Sequence, residues 1–386
     1  MFEDISIKLN PYLVRSKNLM EFFVIIGYEE KILLELGELY NSEINFENIE
    51  MSVISSVVSD LAYGLFDSDQ VIKRIYPEKP KIIKITKSDQ QMPKKSSTIF
   101  YSCFDSIDGK NKVFYSCYAL RFYEKFSLFN TSYYIPKAFL IFSQYPYFTA
   151  FHNICLNILE QINEKNKNEI VSDSDYDDKN IPIEILIHCL VNYIPSPINK
   201  NLILKLFQKK DDIYIQKLTG YPYIDFDLCK IFNYIPINEF IKIYLLIFLE
   251  IDLLFFSPDL LKLNIFMFIL NILNYPIIDS NHYWHIKSIS KDEIKLGDET
   301  IFPTFRGVNT SFSPSYDFSR FANLNFIIDI DNKAIKCIDK NNQKETEEIN
   351  MLLKYFEKIL NGKKVKSVFI YNFSLTFLHF VQNRRN

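Results

Sequence analysis

Two aromatic-rich runs, Ile99 to Asp105 and Lys112 to Phe122, flank a polar segment around Asp108-Gly109-Lys110, and no other feature limits the fold as much. Asp-Gly is a strong turn dipeptide, so the spacing predicts an antiparallel hairpin. The neighbouring segments extend it. Met20 to Tyr28 is a short apolar run ending near a glycine and reads as a buried strand, and Pro136 to Ser143 reads as a third strand. Tyr145-Pro146 breaks that strand before a helix expected over Phe148 to Ile162. Met51 to Phe66 has helix-like apolar spacing, and Lys79 to Lys95 reads as strand edge and loop. Residues 1–163 are therefore expected to form a small α/β sandwich.

Residues 164–180 are rich in Glu, Lys, Asn, Ser and Asp with no apolar periodicity, which places an expected linker there. Beyond it, Ile183 to Tyr193 is a mostly apolar element. Asn238 to Leu249 carries one apolar stripe at helical spacing, and Ile251 to Phe256 is too apolar for an exposed edge strand. Ser257-Pro258-Asp259 resembles a cap for a helix over Leu260 to Asn274, which Pro276 stops. A strand is expected at Tyr283 to Ser288. A helix between two buried strands implies a parallel or mixed sheet. A hairpin comes next around Asp331-Asn332, joining Asn325–Ile330 to Lys333–Ile338, and the tail over 345–360 and 374–381 reads as helical. The expected divisions are 1–163, 164–180, 181–343 and 344–386.

Composition removes several function classes. Hydrophobic residues make up 48% and charged residues 24%, the balance of a globular protein and not of a disordered chain. Net charge is −3, so no global basic field draws the chain to nucleic acid or anionic lipid. The apolar stretch from Ile237 to Ile278 is interrupted by Glu250, Asp252, Asp259 and Lys262, which favours burial in a core over membrane insertion. Six scattered cysteines without a CxxC pair, and a start without a basic-then-apolar signal, lead to the expectation of a reducing, cytoplasmic setting.

Reactive constellations are few. Asp173, Asp175, Asp177 and Glu184 have the carboxylate spacing of a calcium loop, but Asp178 stands where such a loop needs glycine. His152 with Cys155 and His188 with Cys189 supply too few ligands for a metal, and His282 and His285 beside Trp284 read as structural. Gly362-Lys363-Lys364 lacks the rest of a phosphate-binding loop. No cofactor, metal site or catalytic residue is expected.

The order of the elements is more specific than any one of them. Phe100-Tyr101-Ser102-Cys103-Phe104, Asp108-Gly109, Tyr115 to Phe122 (YSCYALRF) and Tyr134 to Phe148 (YIPKAFLIFSQYPYF) resemble the upstream lobe of DENN-domain proteins. Leu245 to Ser257, Tyr275-Pro276, Trp284-His285-Ile286 and Phe302 to Ser311 resemble the central lobe. Ile251-Asp252 replaces the usual arginine pair, and the downstream lobe is reduced to a helical segment.

The resemblance implies an upstream longin-like α/β sandwich and a central α/β lobe with a parallel or mixed sheet. It also implies a guanine nucleotide exchange factor for a Rab-type small GTPase, holding the nucleotide-free GTPase in a cleft between lobes. A non-catalytic scaffold binding a GTPase or a second DENN protein is the alternative. Either is a regulator without covalent chemistry, cytoplasmic and at most recruited to vesicle membranes. Candidate partner contacts are Lys110 and Lys112 at the hairpin turn, and Phe305, Arg306, Asn309 and Ser311 in a glycine turn. The hairpin loop Asp108 to Lys112 contains no arginine, which disfavours the GTP-hydrolysis branch of the family.

Overall fold

The structure, a computed structural model, describes residues 18–29, 31–34, 49–59, 68–86, 90–105, 112–128, 131–168, 183–194, 201–206, 212–215, 225, 231–248, 252–274, 287–289, 305–308, 324–337 and 351. The chain divides into two compact units, Met1–Phe226 and Asp227–Asn386.

The first unit is built on an antiparallel sheet. Its strands are β1 (Phe22–Gly27), β2 (Ser52–Val58), β3 (Ile83–Lys84), β4 (Ser96–Asp105), β5 (Lys112–Leu128) and β6 (Thr131–Ser143). The order is β2-β1-β6-β5-β4, with β3 paired to β6 beside Tyr133 and Tyr134. The expected aromatic hairpin is β4–β5, in register from Ser96↔Arg121 to Asp105↔Lys112. Alternation sorts the side chains into two faces. Phe22, Val24 and Ile26 of β1 share a core with Ala138, Leu140 and Phe142 of β6 and with Cys117 and Ala119 of β5. Helix α1 (Ser68–Ile75) covers this face with Val71 and Ile75. On the other face Phe139 lies 5.6 Å from Phe23 and 4.7 Å from Phe122, ring to ring. Helix α2 (Phe148–Asn168) packs there through buried Phe151, Ile154, Cys155 and Ile158. Helix α3 (Ile183–Asn192) lies against β1 and β2, and a small hairpin, β7 (Leu202–Leu204) with β8 (Ile213–Ile215), completes the unit.

Two expectations need correction here. Met51 to Phe66, read as helical, contains the edge strand β2. Its Ser-Val-Ile-Ser-Ser-Val-Val run is rich in β-branched residues, which lose χ1 freedom in a helix and suit a pleated surface. Pairing with β1, from Phe22↔Val58 to Gly27↔Ser52, settles the choice. Helix α2 continues to Asn168, so the first residues of the acidic stretch are helical; residues 169–180 lie outside the described residues. The compact split falls after Phe226, because α3 docks on the first sheet and the Leu19 amide donates to the Ile194 carbonyl at 2.8 Å.

The second unit holds α4 (Ile231–Tyr234), α5 (Ile237–Phe248), β9 (Asp252–Phe256), α6 (Leu260–Asn274), β10 (Lys287–Ile289), β11 (Phe305–Val308), β12 (Leu324–Asp329) and β13 (Ala334–Cys337). The sheet order is β10-β11-β9-β12-β13; the first four strands run parallel and β13 is antiparallel to β12. The expected mixed sheet is therefore present. Helix α6 is buried on most of its surface, from Leu263 and Asn264 to Phe266 through Leu270. No helix among the described residues is long and apolar enough to cross a membrane. The helical tail lies outside the described residues apart from Met351, which is helical.

Candidate functional site

Parallel strands bring their carboxyl ends to one edge, where loops and helix N-termini gather and where open α/β sheets bind ligands. In the second unit that edge is formed by Phe256, Val308 and Asp329, the last residues of β9, β11 and β12. Local sequence shapes the chain as it leaves each strand. After β9, Ser257 Oγ accepts the Asp259 amide at 3.2 Å, and Asp259 Oδ1 accepts the Leu261 and Lys262 amides at 3.0 and 3.1 Å. Asp259 is thus the cap of α6 that the sequence suggested.

After β12 the chain reverses through Ile330 to Lys333, with Lys333 at φ 54°, a left-handed conformation uncommon for a residue with a side chain. Asp329 makes the turn possible. Its carboxylate, only 2% exposed, accepts the Asn332 amide at 3.1 Å and the Asn332 side-chain amide at 2.8 Å, with Lys336 Nζ at 3.8 Å. Lys262 then joins helix to turn, donating to Asp331 Oδ1 at 2.6 Å while its ammonium lies 5.6 Å from the Tyr234 ring centre. Burial pushes the Tyr234 phenol up, and the nearby Asp259 charge adds to the effect.

These groups are committed to capping, turning and bridging. Among the described residues no group of three or more His, Cys, Asp or Glu side chains is placed to hold a metal ion.

The candidate partner contacts are scattered over both units. Phe305 and Arg306 are in β11, between β10 and β9, with Arg306 opposite Lys287 and Leu254. The segment read as a glycine turn therefore begins as an inner strand. Its glycine has a packing reason: a Cβ on Gly307 would lie 2.7 Å from Met267 Sδ and 3.0 Å from Leu263 Cδ2, so α6 can approach β11 only over a glycine. Asn309 and Ser311 lie outside the described residues, as does Lys110; Lys112 opens β5 opposite Asp105. Trp284, His282, His285 and the acidic run Asp173 to Asp177 also lie outside them.

The thiol and imidazole candidates are structural. Cys155 is fully buried, and burial pushes its thiol far above the ordinary range. His152 Nδ1 is 2.6 Å from the Tyr118 hydroxyl, and burial lowers its pKa. His188, exposed on α3, pairs with the Asn192 side chain at 3.0 Å. Sequence reasoning missed Asp225. Its carboxylate accepts the Thr149 and Ala150 amides at 3.0 Å each, capping α2 from a distant part of the chain. Burial raises its pKa, and these hydrogen bonds oppose the rise.

Residues 134–286 match the family model described as the DENN (AEX-3) domain. The match begins in β6, takes in α2 to α6 and ends just before β10, so it draws on both compact units. No curated protein matches the chain. DENN domains are generally associated with nucleotide exchange on Rab GTPases or with Rab-related trafficking, and they typically regulate a GTPase instead of making or breaking covalent bonds.

Proposed function

The chain carries a DENN domain, and from that premise we propose that it is a guanine nucleotide exchange factor for a Rab-type small GTPase. The family match over residues 134–286 is the observation that carries the reading. An exchange factor needs no nucleophile or general base. It lowers the barrier to GDP release by binding the nucleotide-free GTPase more tightly than the loaded one. The engaged polar edge of the second unit agrees with that: Lys262, Asp259 and Asp329 hold a surface in shape.

The first unit contains the upstream longin-like lobe in this reading, supported by its β2-β1-β6-β5-β4 order with helices on both faces. Lys110, Lys112, Phe305, Arg306, Asn309 and Ser311 remain the proposed partner contacts. Asn309 directly succeeds Val308, which pairs with Phe256 at the carboxyl end of β9. The protein acts in the cytoplasm, with peripheral recruitment to vesicle membranes.

A second reading, a scaffold that binds a GTPase or another DENN protein without exchange, is favoured by one observation: Ile251-Asp252 stands where the family usually has two arginines, at the entry to β9. Release of a fluorescent GDP from a panel of purified Rabs separates the two. Acceleration of about 100-fold, roughly 2.7 kcal/mol of barrier, supports exchange. Stable binding with unchanged release supports the scaffold.

A further inference from the structure

On the face of the first sheet that α1 covers, the surface opens between the start of α1 and the start of β2 into a groove of about 590 Å³. That is within the usual size of a ligand pocket, roughly 300–1,000 Å³. Its floor is apolar, with Ile49, Met51 and Ile72. The floor is apolar because two core clusters meet there: Met51 packs against the one around Phe22 and Val24 and also against the one around Tyr28 and Ile135.

The rim is anionic, formed by Glu29, Glu50 and Asp69. Glu29 Oε1 accepts the Ser52 hydroxyl at 3.2 Å and Asp69 Oδ1 the Ser68 hydroxyl at 3.4 Å. Neither bond neutralises charge, and none of the three carboxylates has an ion-pair partner among the described residues.

We infer that this groove docks an extended segment of a partner protein in which Lys or Arg alternates with aliphatic side chains. The charge selects the occupant. Lys and Arg can lay their methylene stems on an apolar floor while their heads reach a carboxylate rim, whereas an acidic peptide or an anionic bilayer is repelled. The inference goes beyond the exchange reading and does not rest on it.

The test uses the full chain and a fluorescein-labelled heptapeptide alternating lysine and leucine, with binding read by polarisation. Control peptides replace lysine with glutamate or leucine with serine. The lysine–leucine probe should bind at least about tenfold more tightly than either control. Binding should weaken as salt rises from roughly 0.05 to 0.3 M. Reversing two of the three rim carboxylates, Glu50→Lys with Asp69→Lys, should cost at least about tenfold while circular dichroism stays unchanged. A second variant, Met51→Ser, should weaken the probe without altering its salt dependence. Equal binding by the charge-reversed chain, equal binding of the glutamate control, or no binding at about millimolar protein overturns the inference. So does competition by a second copy of the chain that the charge reversal abolishes, which would make the groove a self-association surface.

Discussion

Replacing Gly307 by alanine probes the junction of α6 and β11 on which the second unit's polar edge depends. The added Cβ would sit 2.7 Å from Met267 Sδ and 3.0 and 3.1 Å from Leu263 Cδ2 and Cγ, where ordinary contact starts at 3.4 Å. Met267 can rotate its thioether, but at 1% exposure it has no free space to enter, and Leu263 is fully buried. Overpacking of this kind costs about 1–3 kcal/mol. Alanine recovers roughly 0.5–1 kcal/mol through the lower entropy of the unfolded chain. The net expectation is a loss of about 1–2 kcal/mol. Urea unfolding of the variant and of the wild-type chain can be followed by circular dichroism. With a slope of about 1–3 kcal/mol per molar, the midpoint should fall by roughly 0.5–1 M. Adding Met267→Ala should cost less in the Gly307→Ala background than in the wild type, a coupling of about 1 kcal/mol. An unchanged or raised midpoint, or strict additivity of the two changes, refutes the steric explanation.

Asp225→Ala removes two bonds to the first turn of α2 and should destabilise the first unit by about 1–2 kcal/mol in urea unfolding monitored by circular dichroism. The pH dependence has a definite sign. The folded-state pKa of Asp225 is raised above the ordinary 3.8, so the folded chain holds the extra proton between the two values. Relative to Asp225→Asn, wild-type stability should be greatest below that ordinary value and decline as pH rises through the raised one. Lys262→Met breaks the bridge to Asp331, a half-exposed carboxylate. Solvent screening limits the cost to about 0.5–1 kcal/mol, and a double-mutant cycle with Asp331→Asn should show coupling no larger than that.

Elements encoded by their own local sequence were legible in it. The bounds of α6 were legible because Ser257-Pro258-Asp259 announces a cap, and Asp259 makes it. The β4–β5 and β12–β13 hairpins were legible because Asp-Gly and Asp-Asn dipeptides mark reversals. Elements settled by distant partners were not. Strand β2 has an ambiguous apolar spacing, and only pairing with β1 makes it a strand. Gly307 looked like a turn residue; its reason is the approach of α6, supplied by Leu263 and Met267 more than thirty residues earlier. Asp225 caps amides 75 and 76 positions away, and no local pattern announces that. At the candidate site the helix cap was visible, while the Lys262–Asp331 bridge needed the fold to bring its partners together.

Exchange by tight binding has a thermodynamic signature that can be read without any turnover. Affinity of the full chain for one purified Rab should be measured twice, with GDP bound and with nucleotide removed. The nucleotide-free form should bind at least about 100-fold more tightly, since only a differential of that kind can drive GDP out. Equal affinity for the two forms would contradict exchange activity however strong the binding.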